Sequence, residues 1–195
     1  LYFHIWPNAY KNNSTDLAKQ LLESGDTKMY FADEKDLGYI DSLDFKVNGS
    51  TIKWEIDPKH IDICKLFLEK PLQKGESITI TTPFHVKLPS AEISRLGHLH
   101  QAYMITQWYP KPAVFDANGW NAMPYLNQGE FYSEFGSFDV SITLPKNYVL
   151  AATGDRIDGN TEEDKFLKDK FEETKAKIER FEKGGDIAFI EDMTF

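Results

Sequence analysis

Hydrophobic positions along this chain alternate far more often than they recur at helical spacing. Leu1, Phe3 and Ile5 alternate with Tyr2, His4 and Trp6, a pattern that predicts a strand with both faces covered, ended by Pro7-Asn8. A short helix is expected through Leu17, Ala18, Leu21 and Leu22, capped by Ser14 and closed by Gly25. Tyr39 to Val47 and Thr51 to Ile56 flank Asn48-Gly49, the signature of a hairpin, with Ile52, Trp54 and Ile56 on one face. Ile61 to Leu68 and Ser77 to Leu88 read as further strands, separated by a turn at Pro71 to Gly75. Phe138 to Leu144 reads as a half-buried strand, and Tyr148 to Ala152 as its successor. Strands at this spacing predict a mostly β fold of antiparallel sheets, saddle-like or sandwich-like, rather than βαβ units.

Thr161 to Lys183 differs in kind. Leu167, Phe171, Thr174, Ile178 and Phe181 step by four and three, which predicts one amphipathic helix near the C-terminus. Thr161 and Asp164 fit its N-terminal box, Glu173 and Glu179 precede Lys177 and Lys183 by four residues, and Gly184-Gly185 stops it. Ile187 to Ile190 is expected to return to a strand. The organisation expected is a β domain over 1–160, followed by a helical segment and return strand over 161–195.

The stretch from Tyr103 to Phe138 holds the densest chemistry. Ten of its 36 residues are aromatic, against 14% for the chain, and Pro110, Pro112, Pro124, Gly119, Gly129 and Gly136 punctuate it. Such a segment predicts short strand pieces joined by tight turns, the clearest at Asn118-Gly119, where both residues accept positive φ. Aromatic-rich irregular segments are where binding surfaces sit, although any one of these rings taken alone reads as core.

Charge and composition narrow the classes. With 22 Lys and Arg against 31 Asp and Glu, the net charge is −9 and the isoelectric point about 5.0. A general nucleic-acid binder needs a basic face, so no nucleic-acid partner is expected. No run approaches the roughly 20 apolar residues of a membrane span. The one cysteine, Cys64, lies in a strand-like run and reads as a small buried residue, which leaves no internal disulfide framework. The chain opens inside an apparent strand and reads as a fragment, without a visible signal peptide.

The chain contains no His-Glu-x-x-His, no Gly-x-Ser-x-Gly, no phosphate loop and no dinucleotide fingerprint. His98-Leu99-His100 would place two imidazoles on one side of a strand, but zinc needs a third protein ligand and no spacing supplies one. The histidines are therefore read as surface or structural, and no metal site is assigned. Glu130, Glu134 and Asp139 cluster near aromatics as carboxylates do in sugar hydrolases, yet charged turn residues are the favoured explanation. Asn12-Asn13-Ser14, Asn13-Ser14-Thr15 and Asn48-Gly49-Ser50 match glycan acceptor patterns, which arise readily by chance.

Several segments occur together in one order: Leu1-Tyr2-Phe3-His4-Ile5-Trp6-Pro7-Asn8-Ala9-Tyr10, Leu72-Gln73-Lys74-Gly75-Glu76-Ser77-Ile78-Thr79-Ile80, Ile105-Thr106-Gln107-Trp108-Tyr109-Pro110-Lys111, Phe138 to Pro145 and Ala151-Ala152-Thr153-Gly154. Their sequence and spacing, over roughly residues 1 to 156, resemble the N-terminal β domain of the aminopeptidase N and leukotriene hydrolase family of zinc metallopeptidases, nearest its bacterial branch. The resemblance implies a saddle of antiparallel sheets packed on a separate catalytic domain. That domain would hold zinc through His-Glu-x-x-His and a distant Glu, and it would carry a Gly-x-Met-Glu-Asn strand; neither motif occurs here. By the same resemblance Gln107 would touch the first residue of a peptide substrate, with Trp108 and Tyr109 lining the pocket for its side chain. The expected role is then a non-catalytic domain that closes the cleft, inactive on peptides alone. Its partners would be its own C-terminal catalytic domain and a peptide substrate, in the periplasm or cell envelope. Two departures stand out: the helix at Thr161 to Lys183 has no counterpart in the family, and the strands usually ahead of Leu1 are missing. The alternative is an extracellular β-sandwich module that binds carbohydrate on Trp108, Tyr109 and Trp120.

Overall fold

β1 (Tyr2–His4) runs through the middle of a four-stranded sheet and touches both hydrophobic cores, one on each face. The computed structural model describes residues 1–129, 131–155, 157 and 161–182. After β1 come a 3-10 turn (Trp6–Tyr10), α1 (Asp16–Glu23), a second 3-10 turn (Glu34–Asp36), β2 (Tyr39–Asp41), β3 (Lys46–Val47), β4 (Ser50–Thr51) and β5 (Trp54–Ile56). β6 (Ile63–Leu66), β7 (Ile80–Thr81), β8 (His85–Lys87), β9 (Gly97–Leu99), β10 (Ala102–Met104), β11 (Lys111–Pro112), β12 (Val114–Asp116) and β13 (Gly119–Asn121) follow, and α2 (Thr161–Glu182) closes the described chain. Every ladder between these strands is antiparallel, so the fold is mostly β, with one long helix near the C-terminus. The chain divides into two compact units, Leu1–Ser137 and Phe138–Phe195.

In the first unit the main sheet has the order β11-β1-β6-β5. Pairing sets Phe3 beside Cys64 and Ile56 beside Cys64, so these side chains share a face with Leu66 and Trp54. That face closes over Ile5, Ile40 and Phe45. Phe45 is fully buried, 5.5 Å from the Phe3 ring and 5.4 Å from Trp54. Cys64 is buried in the same cluster, and burial pushes its thiol up to about 12, which makes it a poor thiolate. The opposite face of β1 carries Tyr2 and His4. The chain then turns at Pro7, and Trp6, Ala9 and Tyr10 pack with Leu17, Leu21 and Met29 in the second core.

Two buried polar side chains tie these layers together. Asn8 donates to the Ile61 carbonyl at 3.0 Å and accepts from the Ile40 amide at 3.1 Å. Asp62 accepts the Ile5 amide on its carbonyl at 2.8 Å and the Tyr125 amide on its carboxylate at 2.6 Å. Buried polar groups persist where such partners satisfy them.

Local chemistry accounts for several elements and corrects others. Asn48 (φ 49°) and Gly49 (φ 83°) both sit in the left-handed region, the geometry of the tight turn expected between β3 and β4. The strands beside it are shorter than alternation suggested, since Ser42 (φ 59°) breaks the first and β5 leaves for the main sheet. Of the face Ile52, Trp54 and Ile56, the first two pack on the Phe45 cluster while Ile56 is exposed. Thr15, not Ser14, caps α1: its hydroxyl accepts the Ala18 amide at 3.2 Å, whereas the Ser14 hydroxyl is engaged by Asn12. At the second turn Gly119 takes positive φ (103°) and Asn118 does not.

In the second unit, Phe138 to Leu144 and Tyr148 to Ala152 join none of the described sheets, contrary to the strands expected there. Period-two alternation specifies a strand only where a neighbouring strand can cover one face, and Val140, Ile142 and Leu144 remain exposed. α2 is the longest helix described, 22 residues against eight in α1. The expected Glu173–Lys177 pair forms at 3.1 Å and is joined by Lys170 at 2.9 Å. Phe171 and Ile178 on its stripe are exposed. Lys183, Gly184-Gly185 and the return strand at Ile187 to Ile190 lie outside the described residues.

Phe45→Ala is expected to remove about 3–5 kcal/mol of unfolding free energy, because Phe3 and Trp54 cannot both collapse into the space. Urea unfolding measures this, and a loss below about 1 kcal/mol would show that the cluster repacks.

Candidate functional site

The segment that follows the β9–β10 hairpin carries the residues singled out in the sequence. Leu99, Tyr103, Met104 and Ile105 are all exposed, leading into Thr106, whose buried hydroxyl has no hydrogen-bond partner among the described residues. Gln107 comes next and holds a left-handed backbone (φ 53°), uncommon for a residue with a side chain. Trp108 and Tyr109 follow it, both half-buried. Trp108 lies 5.7 Å from Phe84 and meets Tyr109 edge-on at 5.5 Å. Burial raises the Tyr109 phenol above its usual value. A second aromatic group is built by the β12–β13 hairpin, where Phe115 and Trp120 face each other at 5.0 Å and Trp120 reaches Tyr2 at 5.8 Å. Phe115 is 65% exposed and Trp120 38%, so part of the aromatic stretch is surface rather than core.

Inward from these groups lies an arrangement that sequence reading missed. His4 on β1 and Lys111 on β11 are paired neighbours. The His4 ring stacks on Trp6 at 4.4 Å and 13°. Lys111 Nζ sits 3.9 Å from the Trp6 ring centre and donates to Ser133 Oγ at 2.6 Å. Burial lowers the Lys111 amine to about 8. Burial and the adjacent Lys111 push His4 down to about 4, with the Asn121 backbone opposing them. Nothing in the spacing of His4, Lys111 and Ser133 announces this contact, because it depends on β1 and β11 pairing across a long loop. Asp62 was more legible: a carboxylate within Ile61-Asp62-Ile63 is anomalous in an apolar run.

The other candidates separate. His98 stacks on Tyr103 at 5.8 Å, while His100 sits at the hairpin corner with φ 52°, so the strand repeat that would put both imidazoles on one side is broken. Among the described residues, no three His, Cys, Asp or Glu side chains converge as metal ligands. His60 Nδ1 pairs with Asp16 Oδ2 at 2.7 Å. Glu134 is exposed in the first unit and Asp139 in the second, and Glu130 lies outside the described residues. Among the described residues, no helix is long and apolar enough to cross a membrane. Set against models of protein families, characterised proteins and solved structures, the chain gives no match.

Two buried groups give the fold opposing pH slopes. Burial pushes the Asp62 carboxyl from 3.8 up to about 6, so across that interval the folded state holds a proton that the unfolded chain has released. Its contribution is complete below about 4 and is lost as pH rises through about 6. His4 falls from 6.5 to about 4, so there the unfolded chain holds the extra proton and stability grows as pH rises. Each slope is worth roughly 3 kcal/mol, and together they nearly cancel. Asp62→Asn should leave a melting temperature that climbs between pH 4 and 6.5, and His4→Phe one that falls. Thermal melts of both variants over that range check the assignment; curves of the same slope would refute it.

Proposed function

We propose that this chain is the non-catalytic N-terminal β domain of a zinc aminopeptidase-like protein, which closes the active-site cleft and helps to recognise the substrate's N-terminus. The observation that carries this reading is Gln107. A non-glycine residue held at positive φ costs of order 1 kcal/mol, and such costs cluster at binding and catalytic sites. Here the strained residue is flanked by an unsatisfied buried hydroxyl and by the Trp108–Tyr109 pair. A substrate N-terminus presents an ammonium donor and a peptide carbonyl acceptor. A neutral amide accepts from the first and donates to the second at once, which neither a carboxylate nor an ammonium side chain does. Trp108 and Tyr109 would then line the pocket for the first side chain.

The partner would be the protein's own C-terminal catalytic domain, which would supply the zinc; the residues described here offer no ligand set for it. The exposed row Leu99, Tyr103, Met104 and Ile105, running up to Gln107, is the surface such a domain would cover. In the parent protein, Gln107→Ala is expected to lower kcat/KM by about 10- to 100-fold, the loss of one partner to a charged or buried group, with little change in melting temperature. An unchanged kcat/KM toward dipeptide substrates would return Gln107 to a structural role in the turn.

A second reading rests on the exposed Phe115–Trp120 pair, whose faces suit a sugar ring. Affinity electrophoresis in gels containing soluble polysaccharide tests it: retardation abolished by Trp120→Ala would favour a carbohydrate-binding module, and unretarded migration would dismiss it.

A further inference from the structure

We propose that Ser133 and Lys111 form a nucleophile–base dyad that takes the acyl group of a carboxylic ester. Lys111 Nζ lies 2.6 Å from Ser133 Oγ, the distance at which a hydroxyl passes its proton to a base. The lysine is half-buried and fixed over the Trp6 ring at 3.9 Å, while Ser133 is exposed and open to an incoming molecule. Among the described residues no carboxylate pairs with Nζ. His4 lies beside it on the paired strand, Arg95 stacks on Phe131, and Glu134 is next to Ser133 in the chain. Burial alone brings the amine to about 8, so roughly a tenth is an unprotonated base at pH 7 and the share grows as pH rises. On taking a proton the amine becomes an ammonium over the indole face, which stabilises it.

The reaction balances within these groups. Ser133 Oγ attacks the ester carbonyl carbon and its proton moves to Lys111 Nζ. The tetrahedral oxyanion would draw on backbone amides, and the Tyr132, Ser133, Glu134, Phe135 and Gly136 N–H groups donate no hydrogen bond among the described residues. Collapse breaks the bond to the alkoxy or aryloxy group, which leaves as the alcohol with the proton from Lys111. Water, activated by the same amine, then releases the carboxylic acid and restores the hydroxyl. Tyr132 and Phe135, both exposed, flank the serine and fit an apolar, aryl-bearing ester. The inference is independent of Gln107 and concerns esters, not the peptide bonds of a larger protein.

The test is acetylation of the full chain by p-nitrophenyl acetate, followed by nitrophenolate release, intact mass and peptide mapping. Expected are an acetyl group on Ser133, a rate that rises with pH through about 8, no labelling in Ser133→Ala, and a rate about 100-fold or more lower in Lys111→Arg, which keeps the cation over Trp6 but removes the base. Ser133 is exposed, so an unchanged melting temperature in Ser133→Ala should separate lost chemistry from lost fold. The proposal is overturned if the wild-type chain takes no label, if the acetyl maps to Lys111 or elsewhere, or if either variant reacts at the wild-type rate.

Discussion

Burial of both faces of β1 is the constraint on which the first unit rests. Three residues long, it places Phe3 against Phe45 and Cys64 on one side and delivers His4 and Trp6 to the other. The backbone around it is accordingly secured at several points: Asp62 fastens Ile5, Asn8 fastens Ile61 and Ile40, and the Tyr2 carbonyl accepts the Ala113 amide. The aromatic segment is held to the same spine, through Asp62 to Tyr125 and through Trp6 to the Met123 carbonyl. A site built on that segment is therefore positioned by the most buried part of the molecule rather than by its own loops.

This arrangement was partly legible in the chain. The alternation of Leu1 to Trp6 announced a strand covered on both sides, and Asn48-Gly49 announced its hairpin, because each signal is local: a side-chain period or a pair of residues that tolerate positive φ. The helix at Thr161 was equally plain from its stripe. What failed depended on partners. Phe138 to Leu144 alternates as cleanly as any strand here, yet pairing is a property of two segments, and nothing in one of them says whether the other is present. Ser14 and Thr15 are both good caps, and the choice fell to Thr15 because Asn12 engages its neighbour.

The candidate sites divide in the same way. Gln107, Trp108 and Tyr109 were conspicuous as residue types, and the left-handed backbone at Gln107 adds a feature that composition does not carry. His98 and His100 looked like a pair, but His100 falls at the hairpin corner with a left-handed backbone. Lys111 and Ser133 had no signal at all, since a lysine beside prolines and a serine among aromatics are ordinary; their contact exists only because β11 pairs with β1. Chemistry that depends on distant segments meeting is the part of a protein that a linear reading does not reach.

The division of the strands into five small sheets among the described residues has a consequence for how the molecule breathes. A two-stranded ladder such as β9–β10 or β12–β13 is held by its own few hydrogen bonds and can part without disturbing any other ladder. β1 and β6 have no such freedom, since both are interior strands of the four-stranded sheet and Phe3, Cys64 and Leu66 share one buried cluster. Amide protons should accordingly exchange with solvent in two tiers, quickly in the aromatic hairpins and only through global opening along the central pair. The tips of the aromatic hairpins are then free to reshape, while the spine to which the segment is anchored keeps its register.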